Sequence, residues 1–247
     1  MLLDKQIALV TGAGSGIGQA VALAYAAAGA TVLLLGRTQK NLEATYDRIL
    51  QQENQAVIVP LDLEKDLHRV ADLVREIHAR FGRLDILVNG AAQLGTLTPL
   101  AAYEPPQWET VFRVNVTAPF FLIRELLPLL RQAPRATVIN ITSGVGQQGR
   151  AYWGAYAASK AALINLTETW GQELAQSTIR INAVNPGPTA TTLRARAFPG
   201  EDASSLPTPA DIVPVFLYLA SPQGAHLQGR HLQAREWLHW QPTAEAG

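Results

Sequence analysis

The sequence predicts a doubly wound α/β fold, with a mostly parallel sheet of seven strands and helices on both faces. Two observations lead to this prediction. Short apolar segments that favour strands alternate along the chain with longer amphipathic segments, and a glycine-rich turn joins the first apolar segment to the amphipathic one after it. Strands that alternate with helices pair in parallel through right-handed crossovers, which gives a sheet covered on both faces.

Six of the strands can be placed from short runs rich in Val, Ile, Leu and Ala. In chain order they are Gln6–Val10, Thr31–Leu35, Ala56–Pro60, Leu84–Val88, Thr137–Ile141 and Arg180–Val184. The predicted helices have apolar residues at three- and four-residue spacing. In chain order they are Gly16–Ala28, Gln39–Gln52, Glu64–Phe81, Pro105–Leu130, Trp153–Ala175 and Ile212–Ala220. Prolines mark the start of the fourth, and Thr208 with Asp211 forms a capping signal ahead of the last.

No repeat, linker or low-complexity stretch interrupts this alternation, so residues 1–247 are expected to form one domain. Residues 192–207 have an irregular pattern and form the predicted substrate lid, because long loops in compact domains are often functional. The end of the chain, residues 241–247, is expected to fray.

The charge balance excludes several classes of function. Lys plus Arg number 20 and Asp plus Glu number 20, so the net charge is zero and gives no electrostatic basis for binding nucleic acid or an anionic membrane. The chain has no cysteine, which excludes a disulfide scaffold, a thiolate zinc site and a cysteine nucleophile. Its five histidines show no metal-ligand spacing, so no metal site is expected.

The segment Gln6–Gly36 carries no charge and is long enough to span a bilayer, which takes about 20 apolar residues. Polar residues and five glycines between Gly12 and Gly29 interrupt it, so a transmembrane helix is not expected. A secretory signal is not expected either, because Asp4 and Lys5 lead into a glycine-rich turn instead of a continuous apolar core. We therefore expect a cytoplasmic chain.

The glycine-rich turn is the first candidate site. It reads Thr11-Gly12-Ala13-Gly14-Ser15-Gly16-Ile17-Gly18 and lies between a predicted strand and a predicted helix. Glycines let the backbone approach a pyrophosphate, and the helix N-terminus presents N–H groups to it. Such turns also serve as ordinary strand–helix connections, but this context favours a nucleotide site and a Rossmann-type sheet.

These and later motifs resemble the short-chain dehydrogenase/reductase family over almost the whole chain. That family's turn, Thr-Gly-x-x-x-Gly-x-Gly, is matched by Thr11, Gly12, Gly16 and Gly18. Its four catalytic positions are matched in order by Asn115, Ser143, Tyr156 and Lys160. The family contacts its dinucleotide through further positions, and the resemblance with the residue arguments gives the predicted cofactor set Gly12, Ser15, Gly16, Ile17, Gly18, Arg37, Thr38, Asp62, Leu63, Asn89, Ala91, Tyr156, Lys160, Pro186, Gly187 and Thr189.

The end of the second strand indicates which nicotinamide cofactor fits. NAD-binding proteins usually place an acidic residue there to bind the ribose hydroxyls. Here Gly36 takes that place and Arg37 and Thr38 follow, so an arginine is available to bind a 2′-phosphate. A solvated arginine at a helix entrance is the alternative interpretation. We predict NADP(H), with NAD(H) the less favoured cofactor.

Tyr156 and Lys160 are four residues apart, so on a helix their side chains share a face. A nearby ammonium favours the phenolate and is expected to lower the pKa of the tyrosine toward the range useful for general acid–base catalysis. The alternative for such a pair is a packed ring beside a snorkelling lysine. Against that alternative, Lys160 is one of two charges in the segment Ala136–Thr167.

Two more residues take roles from the resemblance. Ser143 would position the substrate oxygen, although a serine after a strand is more often a turn residue; Thr142 is expected to face the other way. Asn115 would mark a distorted helix that holds a water relaying protons to Lys160, and the alternative is a structural amide. The family usually carries Asn-Asn-Ala-Gly after strand four. This chain has Asn89-Gly90-Ala91-Ala92, which predicts a looser or differently hydrated strand end.

The expected function is an NADP(H)-dependent oxidoreductase for a small carbonyl or secondary-alcohol substrate. A catalytically idle NADP(H)-binding regulator or scaffold is the alternative. The substrate wall is predicted to consist of Gln93, Leu94, Val145, Gln147, Tyr152, Trp153 and Phe198, with only Arg150 and Arg194 nearby, so a neutral substrate is expected. The resemblance implies a homodimer or homotetramer, and the aromatic tail Trp237–Trp240 is expected to pack on a neighbour or over its own site.

Overall fold

A parallel sheet of seven strands forms the centre of the computed structural model, which describes residues 1–242. The strands are β1 (Ile7–Thr11), β2 (Thr31–Gly36), β3 (Ala56–Pro60), β4 (Ile86–Asn89), β5 (Ala136–Ile141), β6 (Ile179–Asn185) and β7 (His231–Gln233). They lie in the order β3-β2-β1-β4-β5-β6-β7, and each neighbouring pair is parallel. The predicted Rossmann-type fold is confirmed. The sheet was predicted to be mostly parallel, and all strands of its described part are parallel.

Eight α-helices connect and cover these strands in the described part of the chain. They are α1 (Gly16–Ala27), α2 (Gln39–Leu50), α3 (Val70–Phe81), α4 (Pro105–Phe112), α5 (Ala118–Gln132), α6 (Gly154–Glu173), α7 (Thr192–Ala197) and α8 (Pro214–Ala220). One apolar core joins the sheet to α1, α2 and α8, and a second joins its other face to α3, α5 and the end of α6. The β1 strand shows why the sequence lacks charge here, since all five of its residues are buried.

The observed helices differ from the predicted ones at several ends and in one interior. The third is preceded by a 3-10 turn at Leu67–Arg69, so its regular part begins six residues later than predicted, at Val70 and not Glu64. The fourth is divided by a π-helical turn at Arg113–Thr117. The last begins at Pro214 instead of Ile212. Thr208 and Asp211 do exchange hydrogen bonds, but they close a turn before the helix.

The two C-terminal expectations also change. Residues 192–207 are not irregular throughout, because α7 occupies their first part and Thr191 caps it by accepting a hydrogen bond from the Arg194 N–H at 3.1 Å. The aromatic tail packs against α8 of its own chain and does not line the cavity, since the Trp237 ring lies 4.2 Å from the ring of Tyr218 on α8. Of the segment predicted to fray, residues 243–247 lie outside the described part of the chain.

The strand order reverses at β1, since β2 and β3 lie on one side of it and β4 to β7 on the other. A crevice lies beyond the carboxyl ends of the strands at this point. The loops after β1, β4, β5 and β6 border this crevice, and each carries a segment that the sequence singles out. No helix among residues 1–242 is long and apolar enough to cross a membrane.

Candidate active site

The crevice at the carboxyl edge of the sheet is a cavity of about 580 Å³, within the usual size of small-molecule sites. Of the residues predicted to bind cofactor or act on substrate, the structure brings these to the cavity wall: Gly12, Ser15, Gly16, Ile17, Gly18, Arg37, Thr38, Asp62, Leu63, Ala91, Ser143, Tyr156, Lys160, Pro186, Gly187 and Thr189. Two others, Asn89 and Asn115, lie behind the wall.

The glycine-rich turn is shaped by close backbone contacts. Gly12 has a positive φ of 71°, and a Cβ there would lie 3.0 Å from the Ala91 nitrogen. A Cβ on Gly18 would lie 2.5 Å from the Gly12 oxygen, so α1 can start this close to β1 only with glycine. The side chain of Ser15 makes no capping hydrogen bond to α1. The N-terminus of α1 therefore presents its N–H groups to the cavity, a geometry that suits a phosphate.

The end of β2 lacks an acid. Gly36, Arg37 and Thr38 all line the cavity there, and a Cβ on Gly36 would lie 3.1 Å from Leu42. Arg37 is exposed and has no ion-pair or hydrogen-bond partner anywhere in residues 1–242. A free guanidinium without a neighbouring carboxylate suits an added phosphate better than two ribose hydroxyls.

The adenine side of the cavity is bordered by the residues after β3. The Asp62 carboxylate accepts a hydrogen bond from the Glu64 N–H at 2.9 Å, which fixes its orientation. Leu63 is buried beside it. The pair supplies an oriented acceptor and an apolar surface, as a nucleotide base requires.

Tyr156 and Lys160 lie on α6 with their side chains in the cavity wall, as the four-residue spacing predicts. The Lys160 ammonium donates a hydrogen bond to the Ile141 carbonyl at 2.7 Å and lies 5.6 Å from the centre of the Tyr156 ring. Burial lowers the pKa of Lys160 to about 8, because a desolvated ammonium is less stable than the amine.

The expected lowering of the Tyr156 pKa is not found in the chain by itself. Burial raises the pKa of this phenol to about 12, and a hydrogen bond with the Ser143 side chain lowers it in part. Desolvation of the phenolate outweighs the ammonium, which is held by the Ile141 carbonyl. Ser143 is thus in contact with Tyr156, whereas the hydroxyl of Thr142 bonds to His231 Nε2 at 2.7 Å.

Asn115 lies in the π-helical turn and is fully buried. Its side chain accepts a hydrogen bond from the Gln93 N–H at 2.8 Å and donates to the Gln93 carbonyl at 2.9 Å. It also donates to Ser159 Oγ at 3.0 Å. The amide therefore ties the loop after β4 to α6, one residue before Lys160. The helix distortion implied by the resemblance is present.

The strand end at Gly90 is tight and not loose as predicted. Thr11 Oγ1 accepts hydrogen bonds from the N–H groups of Gly90 at 2.9 Å and Ala91 at 3.0 Å. A Cβ on Gly90 would lie 2.8 Å from the Thr11 carbonyl oxygen. Behind it, Asn89 donates to Asn140 Oδ1 at 2.8 Å inside the sheet. The missing second asparagine is replaced by direct backbone packing of β4 on β1.

The substrate end of the cavity is apolar and only partly as predicted. Leu94 and Trp153 pack with Tyr156 in one cluster, joined by Val145 and Phe198. Gln93 and Val145 also line the cavity. Four residues of the predicted wall do not line it. Leu94 and Phe198 pack in the cluster beside it, Tyr152 is 60% exposed, and the Gln147 side chain accepts a hydrogen bond from Gln233 at 3.4 Å.

The site also depends on three residues outside the predicted catalytic and cofactor-binding sets. Asn185 binds Gln233 Oε1 at 2.7 Å and accepts from the Gly187 N–H at 3.0 Å, which shapes the loop after β6. Thr191 lies against the glycine turn, 3.5 Å from where a Gly16 Cβ would be. Ser159 is the partner of Asn115. The helix-forming run after Thr191 is a capping signal that identifies this residue; the other two depend on partners distant in sequence.

Comparison with known proteins shows the family of this chain. The family model for short chain dehydrogenase matches residues 6–202. The oxidoreductase YciK of Escherichia coli is 40% identical over 237 residues, which cover 95% of this chain and 93% of that protein. The 3-oxoacyl-(acyl-carrier-protein) reductase FabG of Thermotoga maritima is 30% identical over 238 residues, covering 93% and 96%.

Solved structures are similar over the same length. A short-chain dehydrogenase from Shigella flexneri, complexed with NADP, has a TM-score of 0.92 and 39% identity, covering 95% of this chain and 98% of that one. One from Escherichia coli, complexed with NADPH, has a TM-score of 0.90 and 40% identity, with the same coverage of 95% and 98%. The resemblance expected from the sequence is confirmed, and this chain belongs to the short-chain dehydrogenase/reductase family.

Proposed function

We propose that this protein is an NADP(H)-dependent oxidoreductase that interconverts a carbonyl compound and a secondary alcohol, with Tyr156 as the general acid and base. The observation that carries the proposal is the contact of Tyr156 with both Ser143 and the Lys160 ammonium, in one cavity with the glycine turn and Arg37. The NADP-bound and NADPH-bound relatives support the choice of cofactor.

The residues of the cavity suit this cofactor. The N–H groups at the start of α1 would hold the pyrophosphate, and the Arg37 guanidinium would hold the 2′-phosphate. Asp62 and Leu63 would border the adenine, and Pro186, Gly187 and Thr189 would border the nicotinamide. The Lys160 ammonium would bind the nicotinamide ribose. A bound nicotinamide supplies the hydride that is exchanged with the carbonyl carbon.

Side chains of the protein carry out the proton transfer. In the direction of reduction, Ser143 and Tyr156 donate hydrogen bonds to the carbonyl oxygen, and Tyr156 Oη passes its proton to that oxygen as negative charge develops there. The Lys160 ammonium stabilises the phenolate that remains. Asn115 holds α6 and the Gln93 loop in register, so that the tyrosine keeps its position during the transfer.

A panel of aldehydes, ketones and secondary alcohols, each assayed with NADPH or NADP⁺ and with NADH or NAD⁺, tests the proposal. We expect turnover with several ketones of the panel and a preference for the phosphorylated cofactor. Tight NADPH binding with no turnover across the panel, and no effect of Tyr156→Phe in cells, would instead support a catalytically idle regulator.

The homo-oligomeric state and the cytoplasmic location remain predictions. Family members commonly pair through the long helices that correspond here to α4–α5 and α6, so we propose a homodimer or homotetramer. Light scattering during size-exclusion chromatography measures the mass directly, and fractionation of the producing cells locates the protein.

A further inference from the structure

The substrate end of the cavity carries two arginines whose environments differ. The Arg194 guanidinium on α7 is paired with the Glu201 carboxylate through two hydrogen bonds of 2.6 Å each. It also lies 3.7 Å from the centre of the Phe198 ring. The Arg194 charge is therefore neutralised within the protein, and two of its N–H donors are already hydrogen-bonded.

Arg150 has no such partner. It lines the same cavity, and its guanidinium carbon lies 5.1 Å from the Phe198 ring centre and 5.9 Å from that of Trp153. Among residues 1–242, no carboxylate pairs with it and no acceptor hydrogen-bonds to its side chain. Two aromatic rings limit its movement while all five of its N–H groups stay available.

The surrounding charges leave this end of the cavity positive. The carboxylates among the described wall residues are those of Asp62 and Glu64, which follow β3 at the opposite end. The Glu201 carboxylate forms an ion pair with Arg194. Between Arg150 and Tyr156 the wall is apolar, formed by Trp153 and its neighbours in the cluster with Leu94.

We propose that Arg150 is a specificity-determining residue that binds a carboxylate of the substrate. The substrate class is then an oxo acid and its hydroxy acid, in which an apolar segment separates the ionised carboxylate from the reacting carbonyl. This replaces the neutral substrate expected from the sequence, and it rests on the oxidoreductase function proposed above.

The physical basis is the match between guanidinium and carboxylate. A planar fork held against aromatic faces loses little conformational freedom when it binds a carboxylate through two parallel hydrogen bonds. Because Arg150 is exposed to solvent, water screens part of the attraction. A preference of about tenfold for the acid over its neutral ester corresponds to about 1.4 kcal/mol, which suits a pair of this kind.

The test compares acids with their methyl esters in the complete enzyme with NADPH. The probes are the ketones 4-acetylbenzoate and 6-oxoheptanoate, each beside its methyl ester, so that a rigid and a flexible spacer are both sampled. The variants are Arg150→Gln and Arg150→Lys, and the matched control is Arg131→Gln, which removes an exposed arginine outside the cavity wall.

We expect the wild type to have a KM about tenfold lower for at least one acid than for its ester. Arg150→Gln should abolish that difference by raising the KM of the acid about tenfold more than the KM of the ester. Arg150→Lys should restore part of it, since it keeps the charge but not the fork. Arg131→Gln should behave as the wild type.

A binding measurement separates recognition from turnover. Titration of the NADPH complex with 4-(1-hydroxyethyl)benzoate and with its methyl ester, followed by calorimetry, should show tighter binding of the acid in the wild type but not in Arg150→Gln. Two results would overturn the role of Arg150 and leave the oxidoreductase function intact. One is that the wild type reduces the esters as well as the acids, and the other is that kcat/KM falls equally for both in Arg150→Gln. No reduction of any probe, together with no reduction across the wider panel, would overturn the oxidoreductase function itself.

Discussion

The Lys160 ammonium lies 5.6 Å from the ring centre of Tyr156, while its proton is donated to the Ile141 carbonyl at the end of β5. This arrangement fixes a positive charge beside a phenol in a place where solvent cannot screen it. Burial works against both groups, raising the pKa of the phenol to about 12 and lowering that of the lysine to about 8. Each of the first three predictions follows from this pair.

Replacing Tyr156 by phenylalanine removes the proton donor and leaves the ring packing against Trp153 in place. We expect kcat for carbonyl reduction to fall by about 10²- to 10⁴-fold, the usual contribution of a positioned acid. The affinity for NADPH, measured by fluorescence titration, should change little. A variant that retains most of its turnover would contradict the role given to Tyr156.

The pH dependence should differ between the two directions of the reaction. Reduction needs the protonated phenol and the charged lysine, so kcat/KM should stay level up to about pH 8 and fall above it as Lys160 loses its proton. Oxidation of the alcohol needs the phenolate, so the rate of oxidation should rise as the pH rises above 8. Initial rates in both directions, measured at constant ionic strength, test this; parallel profiles would be inconsistent with it.

Replacing Lys160 by methionine should abolish activity and stabilise the fold. The pKa of the lysine is 10.5 when unperturbed and about 8 in the folded chain. Between these values the unfolded chain binds more protons, so wild-type stability rises with pH there, and the buried charge is most unfavourable below pH 8. Burying the charged lysine destabilises the folded chain by about 3 kcal/mol. The methionine variant avoids this cost but loses about 1 kcal/mol from the hydrogen bond to the Ile141 carbonyl.

Urea unfolding without cofactor measures this effect. The free energy of unfolding of Lys160→Met should be about 1 to 2 kcal/mol higher than that of the wild type at pH 7. This difference should be smaller by about 1 kcal/mol at pH 9. The control is Lys40→Met, which replaces an exposed lysine and should change stability little at either pH. A gap that widens as the pH rises would show that the buried ammonium is not the cause.

Replacing Arg37 by alanine should weaken NADPH binding by about 10- to 100-fold and leave NADH binding almost unchanged, because only the 2′-phosphate needs the guanidinium. Lys40→Ala is the matched control, since Lys40 is exposed on the first turn of α2 and lies outside the cavity wall. Dissociation constants for both cofactors give the comparison. Equal affinities for the two cofactors in the wild type would argue against a phosphate site at Arg37.

The limits of sequence-based prediction here follow from the range of the contacts. The glycine turn and the Tyr156–Lys160 pair each lie within one or two turns of chain, so their spacing, with the family resemblance, was enough to predict them as site residues. Asn185 depends instead on Gln233 in β7, and Thr142 on His231 in the same strand. The tail packs on Tyr218 through rings that no local pattern connects. Such pairings exist only after the sheet has brought distant segments together.

Gly90 shows the same limit and leads to the last prediction. By comparison with the family's usual Asn-Asn-Ala-Gly, an additional side chain at this position would be expected to strengthen the strand end. The structure predicts the opposite, because a Cβ at Gly90 would lie 2.8 Å from the Thr11 carbonyl oxygen and 3.3 Å from Ile141 Cδ1. Gly90→Ala and Gly90→Asn should each destabilise the protein by about 1 to 3 kcal/mol in urea unfolding. Gly149→Ala, where nothing lies within 4 Å, should change stability little. A stabilising Gly90→Asn would mean that β1 and β4 separate readily, and that Thr11 does not hold this end of the crevice as its two hydrogen bonds indicate.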